Sequence, residues 1–497
     1  MKTLCSVAQT RNNDLDYIES GASPYKLMLN AGKALLFSYD FSGKKTLIVC
    51  GGGNNGGDGL VLALLLKEKG CYSEVCLAKA NFTEESVYYY NKCKSAGINC
   101  YSYSDQTSFE GFDIIVDAIF GTGFKGIVKP PIDSVIEKIN ASGALVISAD
   151  IPSGLNGDNG KGEKSVVADI TVAINNLKSG YYLGDGKDRC GKIKLAPIGI
   201  PIEESFGYLI EKSDLVELFP KRKNNANKST YGYVGLVGGS IKYSGAVKLA
   251  NLAVSALKVG SGVVKLGVPN SIASSVLPYM VESTLFPLPD KKGELKFDKK
   301  AYNQLIGGLK ALAFGVGVGD SQENEKILKF LLTNFTGTLI IDADGLNALS
   351  RIGVEVLNDK TCRVILTPHP KEFSRLCGKS VEEILDNPID VAKEFASNYG
   401  VTLLLKGAST IVCDSQNIYL TERGSSGMAT AGSGDCLTGV ILGLCGFSDK
   451  PLSKIAVAGA YICGVAGERA TESINSYSHT AKDTIEFIPK VISEIIK

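Results

Sequence analysis

Residues 431–435 read Ala-Gly-Ser-Gly-Asp and run directly into the apolar stretch CLTGVILGL. Glycines and a serine at the start of an apolar helix leave unpaired backbone N–H groups there, where the helix dipole also favours negative charge. Such a turn can hold a transferring phosphoryl group as its charge redistributes. Asp435 falls in the same turn and is placed to take a proton from an attacking hydroxyl. As a plain surface carboxylate at a helix start it would contribute well under ~1 kcal/mol. A Gly-Ser-Gly entry would then weaken the helix start without supplying a cap.

A second set of candidates lies in the first half. Three glycine-bearing loops follow apolar runs: Gly51–Gly59 (GGGNNGGDG), Asp117–Gly126 (DAIFGTGFKG) and Asp150-Ile-Pro-Ser-Gly154. Their glycines let backbone N–H groups approach a phosphate, and Asn55, Asp117 and Ser153 offer oxygens suited to a hard cation. Asp117 and Asp150 would also serve as helix caps, and a single glycine-rich turn is weak evidence. The weight comes from three loops that each join glycine to a carboxylate or amide. There is no GxxxxGK[ST], which excludes a P-loop NTPase.

These loops need a scaffold that brings strand ends together. Apolar runs at Thr46–Cys50, Tyr72–Ala78, Asp113–Ile119, Ala144–Ala149 and Ala168–Ile174 alternate with helical patterns, which predicts a parallel sheet covered on both faces. Residues 12–38 read as one or two amphipathic helices docked on it. Ligands of such sheets sit beyond the strands' carboxyl ends, where the loops fall. Residues 211–230 break the pattern, with KRKNNANKST reading as a linker. A second α/β series follows, with strands at Tyr233–Val237, Val263–Val268, Ala311–Val316, Thr338–Ile341, Arg363–Thr367, Thr402–Leu405, Thr410–Cys413 and Ile418–Thr421. Helices are expected at Ala246–Val259 and Leu437–Cys445. The expected fold is α/β in two domains, 1–215 and 216–497.

The 497 residues exceed one ordinary domain. With 53 basic and 52 acidic side chains and no long run of one sign, neither nucleic acid nor an anionic membrane is an expected partner. The 13 cysteines form no CxxC pair and several sit in apolar runs, which reads as reduced core thiols in a cytoplasmic protein. Leu60–Leu66 is far short of the ~20 residues of a membrane span, and the amino terminus turns polar too soon for a signal peptide.

GGGNNGGDG, VDAIFGTG and SADIPSGLNG, followed by NNLKSG, resemble the NAD(P)H-hydrate epimerase domain over about Asp14 to Pro201. The resemblance implies a Rossmann-like three-layer domain in which Asn54, Asn55, Gly56, Gly57 and Asp58, with Gly121, Thr122, Gly123, Phe124, Lys125, Gly126 and Ile127, hold the dinucleotide. It further implies potassium on Asn55, Asp117 and Ser153, and Asp150 facing the substrate ring. A carboxylate suits that place, because interconverting the two hydrate epimers makes and breaks a C–O bond beside the ring nitrogen with proton transfer.

VGGSIKYSGA, VGSGVVKLGVP, GVGVGD, IDADGLNAL, LTPHPKEFSRL, LLKGASTIV and GMATAGSGDCLTG resemble a ribokinase-like fold and, within it, the NAD(P)H-hydrate dehydratases, over about Gly232 to Pro489. This implies nucleotide contacts from Lys406, Gly407, Ala408, Ser409 and Thr410 and from Gly432, Ser433 and Gly434. It implies a hydrate site lined by Gly245, Ala246, Gly319 and His369, with Asp435 as base. Of Asp342 and Asp344, one would orient the Mg²⁺–phosphate shell and the other cap the helix opening at Gly345. His479 is expected to be a loop residue. The family pattern has Asn-Pro-Gly-Met where this chain has Ser425-Ser426-Gly427-Met428, keeping hydrogen-bonding capacity and losing the proline's stiffness.

The resemblances imply a fused repair enzyme acting on NADHX or NADPHX, with potassium, Mg²⁺ and ADP (or ATP) as co-substrate, and a homo-oligomer. The alternative is a vitamin or sugar kinase of the same fold fused to a non-catalytic Rossmann-like module.

Overall fold

The computed structural model describes residues 1–79, 81–254 and 256–497. The chain divides into two compact units, Lys2–Gly207 and Tyr208–Lys497.

In the first unit seven parallel strands lie in the order Asn99–Ser102, Ser73–Leu77, Thr46–Cys50, Ile114–Ala118, Leu145–Ala149, Ile170–Ile174 and Lys192–Ala196. The five expected runs are the five inner strands. The two edge strands, NCYS and KIKLA, are mixed in polarity because an edge strand keeps one side in water. Alternate residues feed opposite layers. Ile48 and Cys50 pack with the helices Pro24–Ser38 and Asn54–Glu68, whereas Leu47 and Val49 pack with the helix Ile132–Ala141. Leu60, Leu62 and Leu66 are wholly buried, each stabilising the unit by roughly 2 kcal/mol. Residues 12–38 fall in two helices, Val7–Glu19 and Pro24–Ser38.

The chain moves outward from Thr46–Cys50 in one direction and then resumes on its other side at Ile114–Ala118. That reversal opens a crevice at the carboxyl ends of these two strands. Both loops entering it, Gly51–Gly59 and Ile119–Gly126, are glycine-bearing. Close backbone approach explains part of this: a Cβ on Gly51 would stand 1.9 Å from the Ile119 carbonyl oxygen, so only glycine lets the two loops meet.

In the second unit the order is Thr284–Leu288, Val263–Pro269, Tyr233–Val237, Ala311–Phe314, Thr338–Ile341, Arg363–Leu366, Thr402–Leu405, Thr410–Cys413 and Ile418–Thr421, parallel up to Thr402–Leu405 and antiparallel beyond. Tyr208 and Leu209 continue it beside Tyr419 and Leu420. Helices Ser244–Val254, Ser433–Phe447, Leu452–Ser473 and Ala481–Ile496 cover one core. The division between units lies before the expected 215/216 boundary, because Ile210, Leu215 and Leu218 bury their side chains in this second core. The polar KRKNNANK stretch therefore lies inside the second unit.

No helix among the described residues is long and apolar enough to cross a membrane. The thirteen cysteines are free thiols, most of them buried.

Candidate functional site

The crevice of the first unit is a cleft of about 1000 Å³. Asn54, Asn55, Asp58, Gly121, Thr122, Gly123, Phe124, Lys125 and Asp150 all line it. Gly56 and Gly57 do not. Gly56 backs onto the Gly51 carbonyl and Gly57 onto Met28 and Ser86, so these two serve helix packing. Gly126 and Ile127 lie beyond the cleft, and Ile127 is 84% exposed.

Asp150 is no helix cap. Its amide donates to the Val172 carbonyl at 2.9 Å as the strand Leu145–Ala149 ends, and its φ of 62° is in the left-handed region. A non-glycine residue held there stores strain of order 1–3 kcal/mol, a cost typical of functional positions. Its carboxylate is fixed from several directions: Oδ1 meets the buried Lys178 ammonium at 2.6 Å, Oδ2 accepts from the Thr122 amide at 3.2 Å, and its carbonyl accepts from the Tyr181 hydroxyl at 2.8 Å. Lys178 is a site residue that sequence reasoning missed, although its signal stood in the NNLKSG motif. Asn175, in that motif, shares the left-handed backbone, with φ 64°.

Asp117 is fully buried and accepts from the Ser148 hydroxyl at 2.9 Å, and from the Ser153 amide at 2.8 Å and hydroxyl at 2.5 Å. Burial raises its carboxyl above the usual range, and these hydrogen bonds oppose that rise. Asn55 donates through Nδ2 to the Phe120 carbonyl at 2.9 Å, and the same carbonyl accepts from Ser153. Asn55, Asp117 and Ser153 thus converge around Phe120. The Asn55 side-chain oxygen is buried with no donor among the described residues, which leaves room for a cation's demand.

Asp58 is buried and lines the cleft, and its carboxyl makes no hydrogen bond among the described residues. Burial, then the charges of Asp150 and Asp14, push its carboxyl well above the usual range.

In the second unit Gly432 caps the helix Ser433–Phe447 with φ 93°, and Asp435 is in the first turn. The amides of Gly434 and Asp435 have no acceptor among the described residues, whereas Ser433 turns its amide to Thr430 and its hydroxyl to the Met428 carbonyl at 2.8 Å. The amides left open in this turn among the described residues are therefore those of Gly432, Gly434 and Asp435, and Ser433 braces it. The Asp435 carboxyl itself is half-buried and has no partner among the described residues. Burial first, then Asp342 and Asp344, push its carboxyl up to about 7 against the pull of Lys406.

Lys406 is the first residue of the segment expected at the nucleotide. Its ammonium meets Oδ1 of the buried Asp342 at 3.0 Å and stands 4.0 Å from Glu372. A Cβ on Gly434 would lie 3.6 Å from it, so it faces the anion-binding turn. Burial pulls its ammonium down, but Asp342, Glu372 and Asp435 outweigh that and hold it above the usual value. Asp342 also accepts from the Thr438 hydroxyl at 2.6 Å. Gly407 and Ala408 are exposed, Ser409 is buried and Thr410 pairs with Thr421 across the sheet. Neither Asp342 nor Asp344 caps the helix Asp344–Ile352, whose N-cap is Ala343. Asp344 instead accepts from the Gly319 amide at 2.8 Å. Gly317 packs on Tyr243 and Ala246, bringing the Gly319 loop to the helix start at Gly245 and Ala246.

His369 caps the helix Pro370–Cys377 in a capping box. Its Nδ1 accepts from the Lys371 and Glu372 amides at 3.1 and 3.3 Å, while Glu372 accepts from the His369 amide at 2.8 Å. The Pro-His-Pro-Lys-Glu sequence is thus partly a helix start: Pro at N1 and Glu at N3. With Nδ1 accepting, the neutral ring carries its proton on Nε2, and desolvation, ahead of the opposing Glu372, keeps its pKa below the usual value. His479 lies in a loop and is buried. Its Nε2 pairs with the Thr484 hydroxyl at 2.7 Å and its Nδ1 with that of Thr471 at 3.3 Å, and Thr471 meets Ser425 at 2.7 Å.

A family described as NAD(P)H-hydrate dehydratase matches residues 234–490, and one described as YjeF-related protein N-terminus matches 24–180. The bifunctional NAD(P)H-hydrate repair enzyme of Moorella thermoacetica is 34% identical over 94% of this chain and 92% of its own length. That of Coxiella burnetii is 33% identical over 95% of this chain and 96% of its own. A solved structure of a hypothetical protein from Streptococcus mutans, 22% identical, covers 58% of this chain and all of its own with a TM-score of 0.52, a likeness of fold.

Proposed function

The chain belongs to the bifunctional NAD(P)H-hydrate repair enzymes, and from that premise we propose how its residues divide the work. The first unit interconverts the R and S hydrates of NADH or NADPH. The second dehydrates the S form at the expense of ADP or ATP. A family match over each unit speaks against a vitamin or sugar kinase fused to a silent module.

The observation that carries the dehydratase assignment is Asp435, an unpaired carboxyl near 7 in the turn that offers free amides. A base is most effective when its pKa lies near the working pH. Asp435 takes the proton of the ring hydroxyl as that oxygen bonds to the terminal phosphorus of the nucleotide and the bridging P–O bond breaks, releasing AMP from ADP or ADP from ATP. The Gly434 and Asp435 amides and the Lys406 ammonium hold the developing charge. The ring nitrogen's lone pair then expels phosphate, breaking the C–O bond, and loss of the neighbouring ring proton restores the dihydropyridine. The Nε2–H of His369 and the Gly245, Ala246 and Gly319 backbone are assigned to the hydrate, and Gly407 to Thr410 to the nucleotide.

Of the two acids, the part-exposed Asp344 fits Mg²⁺ that arrives with the nucleotide, since Mg²⁺ is held by one or two carboxylates together with phosphates, whereas Asp342 has its oxygens on Lys406 and Thr438. When bound, it neutralises phosphate charge. In the first unit Asp150 faces the ring and the dinucleotide occupies the cleft. The unpartnered Asn55 oxygen with Asp117 and Ser153 supports potassium there, supplying fixed positive charge beside an anionic ligand. The protein acts as a cytoplasmic homo-oligomer in this reading.

Incubating the protein with an R/S mixture of NADPH hydrate, Mg²⁺ and either ADP or ATP, and following dihydropyridine absorbance, tests it. Recovery of absorbance with one nucleotide settles the co-substrate; none with either overturns the dehydratase assignment. Replacing potassium by choline is expected to slow removal of the R form while leaving the S form repaired. An unchanged R rate overturns the potassium site.

A further inference from the structure

The first helix, Val7–Glu19, is tied to its unit at several points. The Val7 amide donates to Asp158 at 2.7 Å and the Thr10 hydroxyl to Asn176 at 3.0 Å. Asn13 accepts from the Glu203 and Glu204 amides, each at 3.0 Å. Asp14 follows Asn13 and is only part-exposed, yet its carboxyl makes no hydrogen bond or ion pair among the described residues. It lines the same cleft as Asp58, Asp150 and Lys178. Its carboxyl contributes nothing visible to holding the helix, whereas its neighbours in sequence do.

Asp58 provides the independent sign that this corner is built for a polar ligand: a nine-tenths buried carboxyl without a partner on the cleft wall. The two acids line the same cleft as an ion pair, Asp150–Lys178 at 2.6 Å. A site with one ion-paired carboxylate and one carboxyl in a different environment has the makings of a base and an acid.

We infer that Asp14 is a second catalytic carboxyl of the epimerase, the proton donor to the departing ring hydroxyl. This rests on the epimerase reading of the first unit. Asp14 delivers its proton to the hydroxyl on the carbon beside the ring nitrogen. The C–O bond breaks, water leaves, and the nitrogen lone pair forms C=N⁺. Water then adds to the opposite face of that carbon, the C=N pair returns to nitrogen, and Asp150 takes the proton released. Exchange with water in the open cleft resets both groups, and the reverse conversion uses them in exchanged roles.

The charged and titratable groups that interact with Asp14 are Lys178, Asp150, Asp58 and Cys5, and Arg11 of its own helix lines the same cleft. Burial first, with Asp150 adding and Lys178 opposing, pushes its carboxyl up to about 6. A donor must be protonated, so kcat/KM for R consumption falls as pH rises through that value.

The test uses the full chain, pure R hydrate of NADPH, Mg²⁺ and the active nucleotide, with the spontaneous epimerisation subtracted. Asp14→Asn is expected to lower the R-dependent rate about 100-fold and to abolish the pH limb near 6, with S repair and NADPH binding retained. Asp14→Glu should restore activity in part with a displaced limb, and it carries the test if the Asn variant misfolds. An Asn variant with the wild-type rate and limb overturns the role of Asp14, while loss of R consumption in Asp150→Asn then shows that the epimerase reading still stands. If wild-type protein consumes R no faster than the spontaneous rate, the epimerase reading fails and this inference with it.

Discussion

The Lys406 ammonium stands 3.0 Å from Oδ1 of Asp342, a pair seated between the anion-binding turn and the capping box of His369. Asp342 is 2% exposed and its other oxygen is taken by Thr438, so the lysine is held at one point and cannot sweep. Because Lys406 draws the Asp435 carboxyl down, Lys406→Met should raise it further. The pH at which dehydratase activity reaches half its maximum is then expected to move upward, with kcat reduced about 100-fold for loss of a charge at the phosphoryl group. A pH–rate profile of S-hydrate repair checks both.

Asp435 carries a stability consequence opposite to its catalytic value. Its folded pKa is raised above the unfolded value of 3.8 to about 7, so its contribution is favourable below 3.8 and is lost as pH rises towards 7. Asp435→Asn lacks this loss. The variant should gain stability over wild type across that window while losing dehydratase activity. Urea unfolding of both proteins at pH values spanning it is the measurement, and a constant difference would contradict the raised carboxyl.

Lys178 is 1% exposed at its side chain and has Asp150 as its counter-ion. Removing one partner of a buried pair typically costs 3–5 kcal/mol; with Asp150 slightly exposed, about 3 kcal/mol is expected for Lys178→Met. R-hydrate consumption should vanish, and the first unit should unfold at lower temperature in calorimetry.

Thr471 joins Ser425 to His479, and a Cβ on Gly427 would stand 2.6 Å from its hydroxyl oxygen. The segment it steadies ends at Met428, whose carbonyl holds Ser433. Thr471→Val keeps the shape and deletes the hydroxyl, leaving two partners unpaired at about 1–3 kcal/mol. Nucleotide KM is expected to rise about tenfold with kcat nearly unchanged, the pattern of lost uniform binding. The hydrogen-bonded chain replaces the stiffness that a proline would have lent this segment.

The amino-acid sequence by itself determined the inner strands, since a strand buried on both faces must be apolar throughout, and it determined the loops, since only glycine permits approaches such as Gly51 to Ile119. It also marked Asp435 and Asp150, whose short-range setting of turn and strand end is written locally. Edge strands were hidden because one side faces water, and the burial of Leu215 and Leu218 depends on a core built by residues distant in the chain. Lys178 finding Asp150, Lys406 facing Gly434 and Asp14 lining the cleft depend on which elements the fold brings together. His369 shows the division within one residue: its helix-capping role is a local spacing of Pro, His and Glu, but the proximity of Lys406 to that cap is set by the pairing of strands far apart in the chain.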